Sequence, residues 1–83
     1  MSKRVKIAHT PILDLLAFNI KYYRKRLNMS QEKLADRANL HPTYISNIEQ
    51  GKRNLSIQNV YQIAEALGLS VVELLTEIKE KQK

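Results

Sequence analysis

Four uncharged side chains that form hydrogen bonds lie within five positions of one another, and two cations follow shortly after. These residues are Thr43, Tyr44, Ser46, Asn47, Lys52 and Arg53. Hydroxyl and amide groups suit recognition of hydrogen-bonding edges, and Lys and Arg suit contacts with phosphates. The sequence has no glycine-rich phosphate loop, nucleophile elbow or pair of catalytic carboxylates. We therefore expect binding chemistry and no enzyme activity.

The four uncharged residues lie in a segment, residues 31–50, whose apolar positions predict two short helices joined by a turn at Asn39. The small or apolar residues are Leu34, Ala35, Ala38, Leu40, Ile45 and Ile48. An ordinary helical hairpin needs the same apolar wedge but does not need the outward polar residues. The segment therefore predicts a helix-turn-helix, whose second helix enters a major groove by its amino-terminal end.

Capping residues and apolar periodicity predict five helices and an all-α bundle. The helix starts are marked by Pro11, Ser30, Pro42, Ser56 and Ser70, and the helix ends by Asn28, Asn39, Gly51 and Gly68. Leu27 and Ile57 are expected on the buried faces of the first and fourth helices. Residues 1–10 are expected to form a flexible basic arm, and residues 11–83 a helix-turn-helix domain that includes a C-terminal dimerisation helix.

The 83-residue sequence is basic, with 14 Lys and Arg against 8 Asp and Glu. The excess lies near the start, because residues 1–28 contain seven cations and one aspartate. Residues 56–83 contain three Lys and four Glu. This distribution suits a protein that lays one face on a polyanion and keeps the other for protein contacts.

The residues that the sequence lacks exclude several kinds of site. Without Cys there is no disulfide or thiolate zinc site, which fits a reducing cytoplasm. His9 and His41 are far apart and lack acidic neighbours, so neither a metal site nor a cofactor is expected. No run approaches the roughly 20 apolar residues of a membrane span, and Pro11 and Asp14 interrupt the one signal-like stretch. The expected location is the cytoplasm.

Residues from about 12 to 76 resemble the phage-repressor (Cro-like, XRE-type) helix-turn-helix family. The segments that carry the resemblance are NIKYYRKRLNMSQEKLA, LHPTYISNIEQGKRNLS and NVYQIAEALGLSVVELL. The stretch TYIS-x-IE-x-G-x-RN also resembles the controller proteins of restriction–modification systems. That resemblance implies a one-domain dimer that binds operator DNA and switches its own operon.

The resemblance implies roles for residues of the helix-turn-helix. Gln31 would bind a phosphate and help to clamp the recognition helix. Thr43 and Asn47 would face base edges, with Ser46 beside them, because Thr meets a base acceptor or a thymine methyl and Asn pairs with adenine. Tyr44 would reach a phosphate with its hydroxyl or pack its ring on a thymine methyl.

The loop after the recognition helix and the residues before it complete the expected DNA surface. By the same resemblance, Lys52, Arg53 and Asn54 would contact the DNA backbone, and in controller-type relatives this loop also touches bases. Pro42 stands where many relatives have an Arg or Gln that reads a base, so one base contact is lost. His41 replaces the usual Ser or Thr cap.

Charged residues of the first helix have other expected roles. The family pairs the positions of Arg24 and Glu49 in an ion pair that ties the first helix to the recognition helix, and bidentate geometry suits such a site. Lys21, Lys25 and Arg26 are interpreted as phosphate contacts or as solvated surface, and both interpretations stay open.

The fifth helix has more apolar residues than one core face can use. A stripe of Val71, Leu75 and Ile78 suffices to finish the core, which leaves a surplus. Surplus apolar surface on a terminal helix indicates association. We therefore expect a twofold homodimer with Val72, Leu74, Leu75 and Ile78 near its axis.

Together these features predict a homodimeric, sequence-specific regulator that binds double-stranded operator DNA, most simply a restriction–modification controller protein. The alternative from another class is an antitoxin-type regulator that also binds a partner protein through its terminal helix. A third interpretation is a nucleoid protein without sequence preference. No small-molecule ligand and no membrane contact are expected.

Overall fold

The computed structural model describes residues 11–79, which form five helices and no strand within that range. The helices are α1 (Pro11–Arg26), α2 (Gln31–Ala38), α3 (Pro42–Glu49), α4 (Ile57–Leu67) and α5 (Val71–Leu74). The prediction of an all-α fold with five helices is confirmed. The expected arm at residues 1–10 lies outside the described residues.

Side-chain caps fix where three of the helices begin. The hydroxyl of Ser30 accepts from the Lys33 amide, and the hydroxyl of Ser56 accepts from the Asn59 amide. At Ser70 the cap is reciprocal, because the Glu73 carboxylate also accepts from the Ser70 amide. Each cap satisfies amide groups that a helix start leaves without an intrahelical partner.

The recognition helix α3 begins with an unusual pair of residues. The His41 side chain acts as the cap, because its Nδ1 accepts from the Thr43 amide at 3.1 Å. Pro42 occupies the first helical turn, where its missing amide proton costs no hydrogen bond. At the other end, the positive φ of Gly51 (74°) turns the chain out of the helix.

The core joins α2, α3 and α4 over one apolar surface, with α1 packed across α3. The residues predicted for the inward side of the helix-turn-helix are buried, with Leu40 half-buried at the edge. Asn39 makes the turn with φ of 62°, a left-handed conformation that Asn tolerates. The buried core residues are Leu16, Ile20, Met29, Leu34, Ala35, Ala38, Ile45, Ile48, Val60, Ile63, Ala64, Ala66, Leu67 and Leu74.

The fifth helix is shorter than its apolar pattern predicts. It consists of one turn, and residues 75–79 are not helical. The amide nitrogen Nδ2 of the fully buried Asn19 donates to the carbonyls of Leu74 (2.8 Å) and Thr76 (3.0 Å). Asn19 in α1 therefore satisfies the carbonyls that a further helical turn would otherwise have used.

Candidate nucleic-acid interface

The outer side of α3 borders a cleft of about 470 Å³. Of the residues predicted to contact DNA, four line this cleft: Thr43, Tyr44, Asn47 and Arg53. The remaining lining residues are Leu40, His41 and Asn59. The fold thus gathers hydroxyl, amide and guanidinium groups around one concavity, which is the combination that reads and neutralises DNA.

Other predicted contact residues surround the cleft without lining it. Ser46 is half-buried, and its hydroxyl accepts from the Gln50 side chain at 3.1 Å. Lys52 and Asn54 are exposed in the loop between α3 and α4. The Lys52 backbone amide donates to the Asn47 carbonyl at 2.9 Å, which ties the start of this loop to the end of α3.

Tyr44 is more constrained than its sequence context indicates. Its hydroxyl donates to Oδ1 of Asn59 at 2.6 Å, and the Arg53 guanidinium lies 4.7 Å from the centre of its ring. One ring face is therefore covered by a cation. The hydroxyl proton is already used, so donation to a phosphate would require breaking the bond to Asn59.

Two polar residues of α4 were not singled out in the sequence. Nδ2 of Asn59 donates to the Gln62 side chain at 3.1 Å, and Nε2 of Gln62 donates to the Ala38 carbonyl at 2.9 Å. These bonds connect Tyr44 to the end of α2. The sequence did contain a signal for them. Asn59 and Gln62 are three residues apart in α4 and flank the buried Val60, which places both at the border of the buried face of that helix.

The expected ion pair between Arg24 and Glu49 is present. Nε and Nη2 of the buried Arg24 donate to the two carboxylate oxygens at 2.7 and 2.9 Å, and Nη1 donates to the Met29 carbonyl at 2.7 Å. Hydrogen bonding to Glu49 raises the pKa of the Arg24 guanidinium above its usual value, and burial opposes that effect. Arg24 is therefore charged at every accessible pH.

Gln31 belongs to the same cluster. Its side-chain nitrogen donates to a Glu49 carboxylate oxygen at 3.0 Å. The first residue of α2 is thereby bonded to the last residue of α3. This contact matches the clamping part of the role that the resemblance implies for Gln31, and its phosphate contact stays a prediction.

The exposed side of α1 has both cations and aromatic rings. Phe18 stacks on Tyr22 with ring centres 6.0 Å apart, and the Arg26 guanidinium lies 5.5 Å from the Tyr22 ring centre. Lys21 and Lys25 are exposed next to them. Arg26 is therefore held against an aromatic ring, while these two lysines are surface cations.

The surface of α5 corrects one expected interface residue. Leu74 is 0% exposed in the core of the protomer, so its side chain is not available to a second copy. Val72 is 74% exposed, and Leu75 and Ile78 are half-buried. Leu74 points inward because a single helical turn directs residues two positions apart to different sides.

Two features are absent from the part of the chain that the structure describes. No helix there is long and apolar enough to cross a lipid bilayer. Residues 11–79 also contain no group of three or more His, Asp or Glu that could hold a metal ion.

Comparison with known proteins identifies the family. Residues 20–74 match the helix-turn-helix family. Control protein C.SmaI of Serratia marcescens is 41% identical over 70 residues, covering 84% of this chain and 83% of that protein. Control protein C.BamHI of Bacillus amyloliquefaciens is 56% identical over 48 residues, covering 58% of this chain and 59% of that protein.

A solved structure shows the same relationship in three dimensions. The restriction–modification controller protein C.Esp1396I, crystallised as a tetramer with its natural 35-base-pair operator, matches with a TM-score of 0.75 and 39% identity. The match covers 80% of this chain and 87% of that chain. On the sequence match and the shared fold, the chain belongs to the helix-turn-helix family and, within it, to the controller proteins of restriction–modification systems.

Proposed function

We propose that the protein is a homodimeric, sequence-specific DNA-binding transcription regulator of the restriction–modification controller type, acting on operator DNA in the cytoplasm. The observation that carries this proposal is the cleft beside α3, in which Thr43, Asn47 and Arg53 meet. Uncharged hydrogen-bonding groups beside a cation fit base edges flanked by phosphates. The proposal includes no enzymatic step.

The two ends of α3 support its role as a reading element. The amino-terminal end is capped by His41, and the carboxyl-terminal Glu49 is fixed by Arg24 and Gln31. A helix held in this way presents its outer side chains in a defined orientation. In the proposed complex, Thr43 and Asn47 read bases. Lys52 and Gln31 contact phosphates and so position the protein on the DNA backbone.

The proposed dimer surface lies on α4 and α5. Val72 is exposed on α5, and Ile57 (73% exposed) and Tyr61 are exposed on α4. A contiguous exposed apolar patch is typical of association surfaces, and the proposed dimer uses these three side chains together. Two copies would place two α3 helices in successive major grooves, about 34 to 36 Å apart. C.Esp1396I was crystallised on its operator as a tetramer, which supports an oligomeric form.

Selection of bound duplexes from a random pool tests this function. A dimeric regulator should enrich a sequence with twofold symmetry, and its affinity should fall steeply with salt, by about −0.9 in log–log slope per neutralised phosphate. Failure to enrich any sequence would contradict the proposal and favour a nucleoid protein. The similarity to control proteins supports the controller role over the antitoxin alternative.

A further inference from the structure

Three hydrogen bonds form a continuous relay from the recognition helix to the end of α2. The Tyr44 hydroxyl donates to Asn59, Asn59 donates to Gln62, and Gln62 donates to the Ala38 carbonyl. The three distances are 2.6, 3.1 and 2.9 Å, and all three bonds are partly buried. The relay therefore connects α3 and α4 through side chains and ends on a backbone carbonyl of α2.

The direction of the relay is fixed by its last member. A backbone carbonyl only accepts, so Gln62 must turn its nitrogen toward Ala38 and its oxygen toward Asn59. Asn59 must then present its nitrogen to Gln62 and its oxygen to Tyr44. Tyr44 is left with one role, that of donor to Asn59.

The orientation of Tyr44 matters because Arg53 lies on its ring. The guanidinium carbon is 4.7 Å from the ring centre, within the range of a cation–π contact. Arg53 is otherwise exposed in a loop. No other interaction involving its side chain is found among residues 11–79, so the ring is the contact that limits where the guanidinium points.

Arg53 differs from its neighbours in the same loop. It lines the cleft with Thr43 and Asn47, whereas Lys52 and Asn54 do not. Arg53 thus shares the cleft with the two predicted base readers, and the commonest specific contact of Arg with a base is a bidentate one with guanine. A residue that fixes the Tyr44 ring also limits where the Arg53 guanidinium points within the cleft.

We propose that Asn59 and Gln62 are positioning residues that act through Tyr44 to orient Arg53 toward a guanine, and that their contribution to sequence preference passes through Arg53. This inference rests on the proposed DNA-binding function. It assigns a role in specificity to α4, a helix whose exposed side is otherwise available for dimerisation.

The test compares affinities for two duplexes, the sequence selected by the wild-type protein and a shuffled version of it. Asn59→Leu should lower the ratio of the two affinities about threefold to tenfold, the loss expected for one hydrogen bond. In an Arg53→Ala background, Asn59→Leu should lower the ratio no further, because its effect passes through Arg53. If the double variant instead lost the product of the two single-variant factors, the effect of Asn59 would not pass through Arg53 and the proposal would be overturned.

Gln62→Met provides a second variant with a matched control. It should lower the same ratio, whereas Gln58→Met, the same change at an exposed position of α4, should leave it unchanged. In the protein without DNA, the NMR signal of the Arg53 Nε proton should lose its ring-current shift in Asn59→Leu. If that shift persists, or if affinity for both duplexes falls equally, the proposal is wrong and the DNA-binding function still stands. A wild-type protein that prefers neither duplex would instead contradict the function itself.

Discussion

Arg24 of α1 and Glu49 at the end of α3 form a bidentate ion pair with nitrogen–oxygen distances of 2.7 and 2.9 Å. Both side chains are almost fully buried, at 10% and 4% exposure. The Met29 carbonyl accepts a further hydrogen bond from Arg24, and the side-chain amide of Gln31 donates one to Glu49. Four segments of the chain thus converge on one ion pair, and the recognition helix depends on this ion pair for its position.

Removal of one partner should be more damaging than removal of both. Arg24→Met should lower the free energy of unfolding by about 3 kcal/mol, because a buried carboxylate loses its counter-charge. The double variant Arg24→Met/Glu49→Leu should recover part of that loss. Urea denaturation of the three proteins measures both effects, and a double variant less stable than Arg24→Met would contradict the explanation.

This ion pair also has a defined pH dependence on the arginine side. Because the pKa of Arg24 is raised in the folded protein, its stabilisation is complete below the ordinary arginine pKa and is lost only as pH rises through the folded value. No Arg24 titration should therefore contribute to stability between about pH 6 and 9.

Substitution of Asn19 should affect the carboxyl end of α5. Asn19→Leu removes both donors to the Leu74 and Thr76 carbonyls and should cost about 2 kcal/mol. Asn19→Asp should cost more, because it places a carboxylate against carbonyl oxygens. Urea denaturation gives both values, and Asn54→Asp at an exposed position serves as the control. Equal stability of the two Asn19 variants would argue against the hydrogen-bond explanation.

The His41 cap can be tested separately from DNA binding. His41→Ala should destabilise the protein by about 1 kcal/mol, and His41→Ser should restore most of that loss, because a hydroxyl also accepts from the helix amides. Thermal unfolding measures the stability, and hydrogen exchange of the Thr43 amide reports the cap directly. Unchanged exchange in His41→Ala would show that the cap contributes nothing.

Base readers and phosphate contacts should differ in their response to sequence. Asn47→Ala should weaken binding to the selected duplex by about 1 to 3 kcal/mol and leave binding to random DNA nearly unchanged. Lys52→Ala should weaken both alike and reduce the salt slope by about 0.9. Fluorescence titrations at several salt concentrations separate the two cases. Equal losses on both duplexes for Asn47→Ala would remove it from the base readers.

Val72 and Leu74 of α5 should affect association and folding separately, because Val72 is exposed and Leu74 is buried. Val72→Ser should weaken self-association without destabilising the protomer, because the side chain is 74% exposed. Leu74→Ala should cost about 2 to 5 kcal/mol of folding stability, because it opens a cavity in the core. Sedimentation equilibrium and urea denaturation measure the two effects. If the Val72→Ser variant associated as strongly as the wild-type protein, the dimer interface would have to lie elsewhere.

Features set by local sequence could be predicted, whereas features set by packing between distant segments could not. The caps at Ser30, Ser56 and Ser70 follow from residues three positions apart, and the predicted helix starts agree with the structure. The inward residues of the helix-turn-helix also follow from their spacing. The contacts of Asn19 are with residues that lie 55 and 57 positions further along the chain, and no periodic pattern indicates such contacts.

Some apolar positions were predicted on the wrong side. Leu27 is 51% exposed because α1 ends at Arg26 and the chain turns before it reaches the core. Ile57 lies in the first turn of α4 and faces outward. Periodicity identifies a stripe along a helix, but it does not determine how far along that stripe the neighbouring helices extend.

Four of the eight residues of α3 form two pairs with separate tasks. Ile45 and Ile48 are buried in the core, while Thr43 and Asn47 lie at the surface of the cleft. Substitutions at the second pair therefore leave the packing of the first pair intact. Related chains with this arrangement are free to diverge in the operators that they recognise while their folding stability is preserved, so neighbouring regulatory circuits in one cell need not interfere with each other.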